Sequence, residues 1–148
     1  LLGPHGPGDT RRLGRRPRGA RGANAGRPEP MSRHVVIDGR ELAGRPTGVG
    51  RYLLALLAEW ARDPGDRRYT VIVPGAVPAA LAALAPAITV DPLPASATGT
   101  WYEQTTLAGR VRDLAPDVFF APAYTAPLRL PCPLVVTIHD VSFFALPQ

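Results

Sequence analysis

The sequence predicts an open α/β domain, a parallel β-sheet with helices packed on both faces, on three observations. From His34 onward, short β-branched runs alternate with longer segments of helical periodicity, the order that builds a parallel sheet through helical crossovers. The runs themselves, HVVID at 34–38 first among them, are continuously apolar, as strands covered on both faces must be. A chain of 148 residues can bury one such core but is short for an enzyme that needs two lobes.

Each element has its own reason. HVVID has polar ends around an apolar centre, which reads as a central strand over 34–38. In the following GVGRYLLALLAEWARD, Val49, Leu53, Leu56, Leu57 and Trp60 recur at helical spacing, while Arg51, Glu59 and Arg62 fall largely on other faces. That is an amphipathic helix. Thr47 is its expected N-cap, and Asp63-Pro64-Gly65 stops it. The alternation then continues with a strand at 69–73 (YTVIV), an Ala/Leu helix around 77–84, a strand at 87–90 (AITV) and a third helix from about 101 to 114. Pro116 closes that helix, and DVFF at 117–120 makes a fourth strand. A connection holding Pro122, Pro127, Pro131 and Pro133 leads to a fifth, LVVTI at 134–138. Successive units share no motif, so the chain is no tandem repeat. The expected architecture is a single Rossmann-like domain with right-handed crossovers.

Charge sorts the chain into two parts. The net charge of +5 comes from Arg alone, with no Lys, and it resides in residues 1–30, where seven Arg face only Asp9 and Glu29; residues 31–148 hold ten Arg and ten acidic residues. A neutral folded part argues against a nucleic-acid partner. The leader is crowded with Gly, Pro and Arg and should be disordered. Three origins compete for it: an Arg-rich targeting segment, a nucleic-acid or membrane tail, or sequence upstream of a true start at Met31. The last is favoured, because the leader has neither an apolar stretch for secretion nor the Ser content of a transit peptide. No apolar run is long enough to cross a bilayer, so the protein is expected to be soluble or at most peripheral at a membrane. The single Cys132 cannot form an intrachain disulfide, which fits a reducing, cytoplasmic setting. Without Cys/His clusters at ligand spacing, no structural zinc is expected.

In an open parallel sheet, ligands bind beyond the carboxyl ends of the strands. Three unusual stretches fall there: RPTGVGRY after the first strand, APAYTAP after the fourth and His139-Asp140 after the fifth. Gly48 and Gly50 flank the start of the first helix, where small residues admit a ligand to the backbone and the helix N-terminus favours an anion. Alternatively they only build a turn and a close helix contact. Arg51 either adds charge to an anion site or is simply solvated. His139 can donate and accept near neutral pH, or it is a strand-end His bonded to backbone. Asp140 follows it, but consecutive strand side chains point to opposite faces. Tyr124 is a loop anchor or a ring that packs on a ligand.

A dinucleotide fingerprint fits poorly. It needs a third small residue where Leu53 stands and a tight turn where nine residues separate Asp38 from Gly48. An NAD(P)-binding oxidoreductase domain therefore stays as one alternative, and a non-catalytic binding module as another.

The series VVIDGR, GVGRY and WYEQTTLAGRVRDLAPDVFFAPAYTAPLRLPCPLVVTIHDVSFFALP resembles the N-terminal half of the family 4 retaining glycosyltransferases of GT-B fold, across nearly all of residues 34–148. In that family the first domain mainly binds the acceptor, the second holds the nucleotide-sugar donor, and transfer occurs in the cleft between them. The resemblance implies that Gly48, Gly50 and Arg51 lie near the donor diphosphate or transferred sugar. It implies that His139, with Asp140, faces the reacting sugar as the catalytic pair, and that Tyr124 lines the acceptor side. No cofactor beyond the nucleotide-sugar substrate is implied and no essential metal, since amides and basic side chains can stabilise the leaving diphosphate. The sequence stops at Gln148, before any second domain. The expectation is the acceptor-side part of a hexosyltransferase, mannose among its candidate sugars, acting on a glycan, lipid-linked or small-molecule acceptor. Without the C-terminal donor domain it should be inactive alone.

Overall fold

A computed structural model describes residues 32–45, 47–95 and 99–140. The expectations for residues 1–30, for a start at Met31 and for residues 141–148 of the resembling segment lie outside the described residues. The strands are β1 (Arg33–Asp38), β2 (Arg67–Pro74), β3 (Ile88–Leu93), β4 (Val118–Ala121) and β5 (Leu134–Val136). They form one sheet in the order β3-β2-β1-β4-β5, with every neighbouring pair parallel. This is the Rossmann-like arrangement. The chain winds outward from β1 to β3 and then crosses back to lay β4 on the other side of β1, so the direction of winding switches between β1 and β4. Loops leaving those two strands diverge, and a crevice opens between them.

The period-2 alternation of strand side chains divides the interior into two apolar layers. Ile37, Val71, Val73 and Phe120 point to one face, where they meet Leu53 and Leu57 of α1 (Gly48–Arg62) and Leu81 of α2 (Ala79–Ala82). Val36, Ile72, Phe119 and Ala121 point to the other, against Tyr102 of α3 (Gly99–Tyr102) and Val111 of α4 (Ala108–Leu114). Val36, Ile37, Ile72 and Phe119 are fully enclosed. The centres of β1 (35–37) and β2 (71–73) are therefore continuously apolar because they are covered on both faces.

Several elements depart from expectation. The second helix is one turn, Ala79–Ala82, rather than 77–84. Pro78 holds an extended ψ of 139° at its start, and the Ala-rich segment after it offers little apolar area to anchor a longer helix. The third strand runs on to Leu93 and includes Pro92; β3 is an edge strand, where a missing N–H is tolerated. The fifth strand ends at Val136, although Thr137 N–H still bonds to the Ala121 carbonyl at 2.9 Å. As the other edge, β5 leaves Leu134 and Val135 half exposed instead of covered on both faces. The third helical segment starts at Gly99 and contains a π-helical stretch, Glu103–Leu107, between α3 and α4. Among the described residues no helix is long and apolar enough to cross a membrane.

Candidate functional site

The stretch between β1 and α1 explains its own length. Gly39 N–H bonds to the Ile72 carbonyl at 2.8 Å, and a Cβ on Gly39 would stand 2.7 Å from that oxygen. Only glycine lets the chain pass so close to β2. A 3-10 turn, Arg40–Leu42, follows and buries Leu42 completely. This connection is a built structure, not the tight turn a dinucleotide site requires.

Two buried carboxylates meet on one guanidinium at the crevice. Asp38, at the end of β1, accepts from Arg40 Nε at 2.8 Å and pairs with Arg40 Nη2 at 2.7 Å. The same Nη2 stands 2.7 Å from Glu103 Oε2. Asp38 and Glu103 are 3% and 5% exposed, a depth at which an unpaired carboxylate would be strongly disfavoured. Burial pushes the Asp38 carboxyl above its ordinary value despite Arg40. Burial pushes on Glu103 too, but hydrogen bonds from Thr125 and Arg40 together outweigh it and hold that carboxyl below its usual value. Thr125 Oγ donates to Glu103 Oε2 at 2.6 Å, and Gln104 donates to Glu103 Oε1 at 2.9 Å. Gln104 also receives Leu128 N–H at 2.9 Å and donates to the Ala126 carbonyl at 3.3 Å. The π-helical turn thus fastens the loop after β4 by two successive side chains, a local irregularity of the kind often found at functional sites.

That loop carries Tyr124 at φ +33°, a conformation that bulky residues rarely adopt. It is the middle residue of a tight turn in which Thr125 N–H reaches back to the Ala123 carbonyl, and its own N–H bonds to the Thr137 carbonyl at 3.1 Å. The Tyr124 ring lies edge-on to His139, with centroids 5.6 Å apart, and its hydroxyl donates to Asp140 at 3.3 Å. Tyr52 of α1 meets the same imidazole edge-on at 5.2 Å. His139 Nε2 is 2.7 Å from the Pro122 carbonyl. That nitrogen must carry the proton, so in the neutral ring Nδ1 is the lone pair available to a ligand. His139 is thus bonded to backbone through one nitrogen and exposed. Asp140 turns to Tyr124; the two residues, adjacent in sequence, reach different partners.

The glycines separate. Gly50 is buried, whereas Gly48 is exposed, and a Cβ on Gly48 would meet nothing within 4 Å. Thr47 occupies the N-cap position but does not cap: its hydroxyl donates to Glu41 at 3.4 Å, and among the described residues no side-chain hydrogen bond caps the helix. The first turn holds no acidic residue, and Arg51 there is exposed. A 15-residue helix whose first turn has no side-chain cap among the described residues presents a partial positive charge at its N-terminus.

The sequence places Gly48, Arg51, Tyr124, His139 and Asp140 near strand ends, and the fold brings Tyr52, Tyr124 and His139 into contact there. The Asp38–Arg40–Glu103–Thr125 network is not among the residues singled out from sequence. One signal was present: Glu103 stands four and eight residues before Leu107 and Val111, on the stripe that α4 buries. A carboxylate at an apolar position of a helix demands a buried partner. Among the described residues no group of three or more His, Cys, Asp and Glu is placed to hold a metal ion.

No family model, curated protein or solved structure matches the chain.

Proposed function

We propose that the chain is the acceptor-side domain of a retaining hexosyltransferase. The observation that carries this reading is the gathering, on one rim, of an uncapped 15-residue helix N-terminus with His139 and Tyr124. In glycosyl transfer the bond from the anomeric carbon to the donor diphosphate breaks as the acceptor oxygen bonds to that carbon and gives up its proton. Negative charge grows on the departing diphosphate, and bare N–H groups aimed at it stabilise that charge without reorganising. Gly48 leaves the helix end open, and Arg51 adds an exposed positive charge to the first turn. His139 Nδ1 accepts from a hydroxyl of the transferred sugar and orients it. Tyr124 lines the acceptor side, its strained turn held by Glu103 through Thr125 and by the Thr137 carbonyl. The donor is a nucleotide sugar bound in the cleft against a second lobe, and the acceptor is a glycan, lipid-linked or small-molecule hydroxyl. Cytoplasmic synthesis at or near a membrane surface belongs to the same proposal.

The test is direct. The coding sequence should be read on beyond Gln148, and its full product assayed for hexose transfer from GDP- and UDP-sugars, with His139→Ala as comparison. Transfer that falls at least about a hundredfold in the variant, at unchanged thermal midpoint, is the expected result. Full activity in His139→Ala, or no transfer by the full product with any sugar of the panel, would refute the reading.

A further inference from the structure

The crevice between β1 and β4 holds a recess of about 110 Å³ lined by Asp38, Arg40, Glu41, Pro122, Ala123 and Thr125. We infer that this recess binds a neutral polyhydroxyl edge, the adjacent ring hydroxyls of a pyranoside, and rejects phosphate. The choice of a pyranoside rests on the function proposed above; the rejection of phosphate rests on charge alone.

Size comes first. A water molecule takes about 30 Å³ of liquid, so the recess holds the volume of three to four waters. That is one edge of a sugar ring. It is far below the roughly 300 Å³ and more of a pocket that encloses a whole ligand, so the recess cannot enclose a nucleoside diphosphate.

Charge comes next. Asp38, Glu41 and the adjoining Glu103 stand against the single guanidinium of Arg40, and that guanidinium is already committed to two of the three. An anion would meet a surplus of negative charge at a site where burial weakens screening.

The remaining hydrogen-bonding capacity suits hydroxyl groups. Arg40 uses Nε and Nη2 for Asp38 and Glu103, and none of its bonds among the described residues is made by Nη1. Thr125 spends its proton on Glu103, and its oxygen receives Arg40 Nη2 only at 3.5 Å, which leaves it one further lone pair to accept with. Both Asp38 oxygens already receive Arg40, whereas the Glu41 carboxylate, bonded among the described residues through Oε2 alone, keeps an oxygen to accept with. A hydroxyl both donates and accepts, so two neighbouring hydroxyls can satisfy a carboxylate and a guanidinium together, which neither an anion nor a purely donating ammonium can do. Asp38 is 3% exposed and already ion-paired, so the recess is preorganised and its groups need not move to receive the ligand.

The test uses the 148-residue chain, amide-resolved NMR and three probes: methyl α-mannopyranoside, inorganic phosphate and methylammonium. The pyranoside should shift the Ala123 and Thr125 amides saturably, with a dissociation constant on the order of 10 mM or tighter. Thr125→Val should weaken that binding about fivefold, and Thr125→Ser should restore it. Phosphate should leave these amides unmoved. The inference is overturned if the pyranoside gives no saturable shift, if Thr125→Val binds it as well as the parent, or if phosphate or methylammonium moves the same amides more strongly. Pyranoside binding here with no transfer by the full product would keep this site and remove the proposed function; transfer without binding here would do the reverse.

Discussion

Arg40 Nη2 stands 2.7 Å from Glu103 Oε2, across 63 residues of chain. The contact joins the turn after β1 to a π-helical turn in the crossover to β4, and so ties together the two segments that border the switch crevice. Breaking it by Glu103→Ala leaves Arg40 with Asp38 and a long bond to Thr125, and takes from Thr125 and Gln104 the carboxylate to which each donates. The loss should lie near the lower end of about 3–5 kcal/mol for a severed buried pair, because Arg40 keeps partial access to water.

The same pair has a pH signature. The Glu103 carboxyl lies below its unfolded value of 4.5, so its contribution is present above that pH and is lost as pH falls through the lower folded value. Asp38, raised by burial, acts in the opposite direction, and a variant is needed to separate them. Glu103→Gln should lessen the loss of stability between about pH 5 and pH 3. Urea midpoints across that range are the measurement, and an unchanged slope would contradict the assignment.

Two glycines should respond in opposite ways. Gly39→Ala places a methyl against the Ile72 carbonyl and the Val71 side chain and should cost about 1–3 kcal/mol. Gly48→Ala meets open space and should raise stability by about 0.5 kcal/mol, through a less flexible unfolded chain. If Gly48 serves a ligand, the stabilised variant nonetheless loses nucleotide-sugar turnover in the full product. Equal thermal midpoints for the two variants would show that the close approach at Gly39 is not what keeps it glycine.

His34 should report on a third region. It is 3% exposed, bonded through Nε2 to Thr70 at 2.9 Å, with Nδ1 unpartnered among the described residues. Burial, reinforced by Arg68, holds its imidazole below 6.5. The unfolded chain protonates first as pH falls, so the stability His34 supports is complete above that value and declines as pH drops toward the folded one. His34→Gln should flatten the change in urea midpoint between about pH 7.5 and pH 5.5; a parent with no such change would exclude the effect.

Much of the fold was legible because its signals are local. Leu53 and Leu57 fall on the buried face of α1, and Val36, Ile37 and Ile72 in the interior, as hydrophobic spacing alone requires. The second helix was overestimated because an Ala-rich segment has helical propensity without apolar area to pack. The π-turn escaped notice for a related reason: Glu103 interrupts an apolar stripe, and only its partners explain why it is there.

By itself, the sequence determined the alternation of strand and helix and the burial of Val36, Ile37, Leu53 and Leu57. Tertiary structure alone decided that β4 lies beside β1, and with it the crevice, the pairing of Arg40 with Glu103 and the contact of His139 with both Tyr52 and Tyr124. The physical reason is one of range. Periodicity is set by neighbours a few residues away, whereas strand order is chosen by the burial of whole faces and fixes which distant polar groups must share a partner.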